Sequence, residues 1–126
     1  MNAKFYVPFE TAKMLKKVGY SQAGRDMYYN LNGELMTRAE IIAGYKEVFP
    51  TSITDYYAAP AYCEVLDWLV SHRVAVITTN ANDTMRGLRW YCDILLSDGD
   101  TIRTEECVTR EESINSAIIG ALEEDM

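Results

Sequence analysis

An α+β fold, with an antiparallel three-stranded meander covered on one face by helices, is the class this sequence predicts. Three observations carry the expectation. Residues 109–122 combine capping-box spacing at Thr109 and Glu112 with Ile114, Ala117, Ile118, Ala121 and Leu122 on one helical stripe. Pro60 opens a second such run, in which Tyr62, Val65, Leu66 and Leu69 share a face. Between them, residues 74–79, 88–96 and 101–105 read as strands, β-branched in the first and alternating in the second. An apolar helical stripe must be covered, and the adjoining strands are the obvious cover. Residues 60–126 therefore read α-β-β-β-α. Residues 1–59 precede them as helix, short hairpin and helix, within a single domain spanning 1–126.

Residues 8–18 form the first expected helix. Pro8 suits its opening turn, and Ala12, Leu15 and Val18 make a short apolar stripe with Met14 beside it. Lys13, Lys16 and Lys17 are polar surface, the last two near the C-terminal end where the helix dipole favours cations. They are either an anion patch or, more simply, a solvated face. Gly19 supplies a left-handed stop, and Tyr20 can fold back onto Leu15 in a Schellman-like closure.

Residues 27–36 read as a hairpin, with Asn32-Gly33 as its two-residue turn. Thr37 and Glu40 repeat the capping-box spacing and open a helix whose face is Ile41, Tyr45 and Val48, ended by Pro50. Gly44 weakens that helix by about 1 kcal/mol relative to Ala. Residues 50–59 are a connector and the best candidate for a subdomain boundary. In the helix after Pro60, Glu64, Asp67 and Ser71 face water, Trp68 sits on the flank, and His72-Arg73 is a polar ending. Asn80 to Gly87 reads as a polar loop. Trp90, Cys92, Ile94 and Leu96 then point to the core, with Arg89, Tyr91 and Asp93 on the other face. Ser97 to Asp100 is a tight turn, and Ile102 points inward from the third strand.

The 126 residues are 48% hydrophobic and 25% charged, which suits one globular domain. No apolar run approaches the ~18–20 residues of a membrane span, and the N-terminus lacks the apolar core of a signal peptide. A soluble, cytoplasmic protein without membrane contact is expected. Cys63, Cys92 and Cys107 are odd in number and contain no C-x-x-C pair, so neither a disulfide framework nor a zinc site is supported. The net charge of −7 is uneven. Residues 1–50 hold seven Lys/Arg against five Asp/Glu, whereas residues 93–126 hold two against ten. The acidic end would repel phosphate backbones, so nucleic acid is disfavoured as a partner. It is either a solvated surface or a patch that docks a basic partner or imitates nucleic acid.

No residue is identified as catalytic, cofactor-binding or metal-binding, and no cofactor is expected. The one histidine, His72, lies nine residues from Cys63, ~13 Å along a helix and beyond hydrogen-bond reach. Asp98-Gly99-Asp100 lacks the ligand spacing of a calcium loop. Walker, G-x-G-x-x-G, G-x-S-x-G and H-E-x-x-H motifs are absent. The compositional excess of interest is the nine tyrosines, six of which (Tyr28, Tyr29, Tyr45, Tyr56, Tyr57 and Tyr62) fall between the hairpin and the central helix. Tyrosine joins a large contact area to a polar tip, so Tyr28, Tyr29, Tyr56 and Tyr57 are candidates for an interaction surface. Glu111 and Glu112 are the candidates within the acidic end. The competing reading has the tyrosines closing the N-terminal segment onto the core.

The α-β-β-β-α order of residues 60–126 resembles the double-stranded RNA-binding domain, and Ala117-Ile118-Ile119-Gly120-Ala121-Leu122 resembles the alanine-rich end of its last helix. That family contacts RNA through lysines near the start of this helix, where Arg110, Glu111 and Glu112 stand here. Two carboxylates facing phosphates are repulsive. Three further segments resemble a group of small proteins of unassigned function from gut anaerobic bacteria and their phages or prophages. They are Phe9-Glu10-Thr11-Ala12 to Gly19-Tyr20, Ala59-Pro60 to Asp67-Trp68-Leu69, and Glu111-Glu112-Ser113-Ile114 to Ala121-Leu122. That resemblance implies origin and carries no site residue. The expectation is a small non-enzymatic, phage- or prophage-related protein acting through protein–protein contact. The alternative is a nucleic-acid-associated protein of double-stranded RNA-binding-like topology, using its more basic N-terminal half.

Overall fold

Residues 5–44 and 56–125 are described by a computed structural model. The chain is α+β and carries two three-stranded antiparallel sheets, one in each of two units, Met1–Ala61 and Tyr62–Met126. The division falls just past the 50–59 connector. Among the described residues no helix is long and apolar enough to cross a membrane.

In the first unit, helix α1 spans Phe9–Lys17 and buries Thr11, Ala12 and Leu15. It ends as expected, in a Schellman motif: Tyr20 N–H donates to the Leu15 carbonyl at 2.9 Å and Gly19 N–H to that of Lys16 at 3.2 Å. Strands β1 (Met27–Tyr29) and β2 (Leu35–Thr37) form the hairpin, with Tyr29 opposite Leu35. Its turn differs from the two-residue form expected of Asn32-Gly33. Asn30 N–H donates to the Glu34 carbonyl at 3.0 Å, leaving Leu31, Asn32 and Gly33 as the loop, and only Gly33 has positive φ, at 81°. The Asn30 side chain decides this, because its Oδ1 accepts from the N–H groups of both Asn32 and Glu34.

Helix α2 (Arg38–Gly44) opens with the reciprocal capping box. Thr37 Oγ1 accepts from Glu40 N–H at 3.0 Å, and Glu40 Oε1 from Thr37 N–H at 3.1 Å. Its expected continuation through Tyr45, Val48 and Pro50 lies outside the described residues, as does the connector before Tyr56. The end of that connector is not loop. Tyr57–Ala58 is a strand, β3, paired antiparallel with the free side of β1. Ala59 N–H extends the pairing to Met27, and Val7 N–H reaches the Pro60 carbonyl at 3.0 Å. Tyr28, Ile41 and Ala58 centre this core.

In the second unit, helix α3 (Tyr62–Ser71) buries Val65 and Leu69. Its end is a second Schellman motif, but with Arg73 in the left-handed position at φ 65° where glycine is usual. The sheet runs β4 (Ala75–Asp83), β5 (Gly87–Leu95), β6 (Thr101–Arg103), each strand beside the next. Asn80–Asp83, expected as loop, is strand: β5 pairs with β4 residue for residue, and the chain turns only at Thr84–Arg86. After Asp93 faces Arg103 the β6 side slips by one residue, so that Trp90 bridges Cys107. At the slip, Thr104 Oγ1 accepts the Cys92 N–H at 2.9 Å.

Helix α4 (Arg110–Asp125) is capped by Thr109, whose Oγ1 accepts from Glu112 N–H at 3.1 Å. Ile114, Ala117, Ile118, Ala121 and Leu122 are all buried, as is Ile94 beneath them. At Gly120 a Cβ would stand 3.1 Å from Ile94 Cδ1, so this position sets how closely α4 approaches β5. Trp90 is half-buried and Cys92 fully buried, consistent with the expected inward face of β5.

Candidate docking groove on the first unit

Helix α1 places Glu10, Lys13, Met14 and Lys17 within one to two turns of each other on the side not committed to the core. Strand β3 runs beside it and brings up Tyr57. Phe9 joins the two, its ring edge-on to Tyr29 at 5.5 Å and to Tyr57 at 5.6 Å. The result is a groove of about 510 Å³ lined by Glu10, Lys13, Met14, Lys16, Lys17 and Tyr57.

Two of its cations are held in place. Lys16 Nζ donates to the Tyr56 carbonyl at 3.0 Å and lies 4.8 Å from the centre of the Tyr57 ring. Lys13 Nζ lies 3.4 Å from Glu10 Oε2 and 5.0 Å from the centre of the Phe9 ring. Such cation–aromatic contacts are worth about 0.5–1 kcal/mol at exposed sites and fix where the ammonium points. Among the described residues, three lysines against one glutamate line the groove, a positive balance in a chain whose total is −7.

The structure separates the tyrosines singled out from the sequence. Tyr28 and Tyr29 are not surface residues, being only 1% and 8% exposed. Tyr28 OH donates to the Gln22 carbonyl and Tyr29 OH to the Val7 carbonyl, each at 2.7 Å. A ring with a satisfied hydroxyl packs as well inside as outside, which is why composition could not place them. Burial also pushes the Tyr29 hydroxyl above the usual tyrosine pKa. Tyr56 is half-buried against the Tyr28 core, and Tyr57, also half-buried, lines the groove. Glu111 and Glu112 belong to the second unit, in the first turn of α4, where the helix dipole favours carboxylates. The spacing of positions 13, 16 and 17 puts the lysines on one surface of the helix, for which a solvated face is the simpler reading. What could not be read was β3, which supplies the aromatic wall.

The other titratable groups are scattered. Cys63 is exposed, Cys92 is buried and Cys107 lies between these extremes. The His72 ring sits 4.5 Å from that of Trp68. On the outer face of the second sheet, a hydrogen bond from Arg103 Nε to Asp93 Oδ1 at 2.9 Å holds the guanidinium pKa above its ordinary value. Among the described residues no three His, Cys, Asp or Glu side chains are grouped as a metal site. No family model, curated protein or solved structure matches the chain.

Proposed function

We propose that this is a non-enzymatic binding protein whose first unit docks an acidic segment of a protein partner in the α1 groove. The observation that carries the reading is the fixing of Lys16 by the Tyr56 carbonyl and the Tyr57 ring, with Lys13 and Lys17 alongside. Lys16 braces the wall of the groove, and Lys13 and Lys17 on the same helix present the ammonium groups that an arriving carboxylate meets. Met14 and Tyr57 give an apolar side chain something to cover. The groove is positive within a negative chain, so charge complementarity selects an acidic occupant. The same reading takes the protein as phage- or prophage-related, its partner then being encoded by the bacterial host.

The test is fluorescence anisotropy with a labelled peptide of alternating Glu and Leu, run beside a labelled RNA duplex. Saturable peptide binding that weakens with salt and is lost in the K13E/K17E double variant is expected. Peptide binding unchanged in K13E/K17E, or absent at low salt, would overturn the proposal. Tighter binding of the duplex than of the peptide would replace it with a nucleic-acid function.

A further inference from the structure

The second unit leaves one long sheet edge open. Strand β4 is terminal in the order β4-β5-β6, so along Ala75–Asp83 it has no strand partner on its outward side among the described residues. Natural proteins defend such edges by making them short, by placing charge or proline on them, or by a bulge. The opposite edge follows that rule, since β6 has three residues, includes Arg103 and slips register next to Cys92. The outer strands of the first unit, β2 and β3, have three and two residues. Apart from Asp83 at its very end, β4 has none of these defences. It pairs with β5 without interruption for nine residues and carries no charge, proline or glycine from Ala75 to Asn82. Ile77, on the face away from the helices, is 52% exposed.

The chemistry of the edge also indicates what covers it. A partner chosen by charge finds no handle along Ala75–Asn82, where β4 carries none. A two-fold seam needs only side chains compatible with themselves. In an antiparallel pair, opposite residues share a face, so a two-fold axis normal to the sheet must lie midway between one residue and its own copy. Centred on Thr79, the pairs are Thr79 with Thr79, Thr78 with Asn80, Ile77 with Ala81 and Val76 with Asn82. No like charges meet, and threonine pairs across strands are favourable.

We propose that a second copy of this chain pairs along β4, antiparallel about Thr79. The product is a six-stranded sheet with the helices of both copies on the same face. The surface lies in the second unit and is independent of the α1 groove.

Sedimentation of the full chain tests it, comparing wild type with T79K, T79E and their equal mixture. The wild type is expected to be dimeric at roughly 100 µM, each variant alone monomeric, and the mixture dimeric again as opposite charges meet at the axis. Unchanged circular dichroism shows that each variant folds. Should T79K fail that control, I77K replaces it, since Ile77 is already exposed, and it too is expected to weaken the dimer. A wild type that stays monomeric to roughly 1 mM overturns the proposal. So do variants that remain dimeric, and a mixture that stays monomeric overturns pairing about Thr79.

Discussion

Replacing Ile118 by alanine probes whether α4 is held by its apolar stripe. The side chain is fully buried over the sheet. Its truncation removes three carbons at about 0.8 kcal/mol each, and incomplete collapse of the cavity raises the loss to about 3–4 kcal/mol. Ile77→Ala is the matched control, because that isoleucine lies on the other face at 52% exposure and its loss amounts to about 1 kcal/mol. A unit of this size holds roughly 3–10 kcal/mol in all, so Ile118→Ala consumes much of it. Both tryptophans, Trp68 and Trp90, lie in the second unit, so tryptophan fluorescence in urea follows that unit. Measurements below about 5 µM protein keep self-association out of the comparison. Equal losses for the two variants, or less than about 1 kcal/mol for Ile118→Ala, would refute the packing argument.

Three other perturbations have defined outcomes. Arg73→Gly relieves a left-handed conformation that is unfavourable for a side chain and is expected to stabilise the second unit by about 0.5–1 kcal/mol, read as a higher urea midpoint. Thr37→Ala removes the acceptor for Glu40 N–H and should destabilise α2 by about 1 kcal/mol; faster hydrogen exchange at the Glu40 amide is the readout, and unchanged exchange counts against the cap. Tyr29→Phe strands the Val7 carbonyl and should reduce first-unit stability by about 1–2 kcal/mol, measured by tyrosine near-UV dichroism in urea. Because burial raises the Tyr29 pKa, its contribution is complete below the unfolded tyrosine value of about 10 and is lost as pH rises through the folded value. Alkaline titration should therefore destabilise wild type more steeply than Tyr29→Phe, and identical slopes would contradict the assignment.

Features written in local spacing were legible from the sequence. The caps at Thr37 and Thr109 and the stop at Gly19 each need residues only three to five apart, and the structure has all three. The buried stripe of α4 followed from helical periodicity in the same way. What escaped depends on distant partners. Asn80–Asp83 is polar and carries no strand signal, yet the β5 ladder holds it extended. Tyr57–Ala58 becomes a strand only because β1, some thirty residues earlier, offers a free side. The same distance hid the groove beside α1, since three lysines alone look like a solvated helix. Tyr28 and Tyr29 misled for the opposite reason, their hydroxyls being satisfied inside by carbonyls that no local pattern announces.

The most direct measurement is an amide chemical-shift titration of the full chain with the Glu-Leu peptide. Docking in the groove should move the amides of Glu10–Lys17 together with Tyr56 and Tyr57, and leave those of β4, β5 and α4 in place. Shifts confined to the second unit, or none at saturating peptide and low salt, would contradict it.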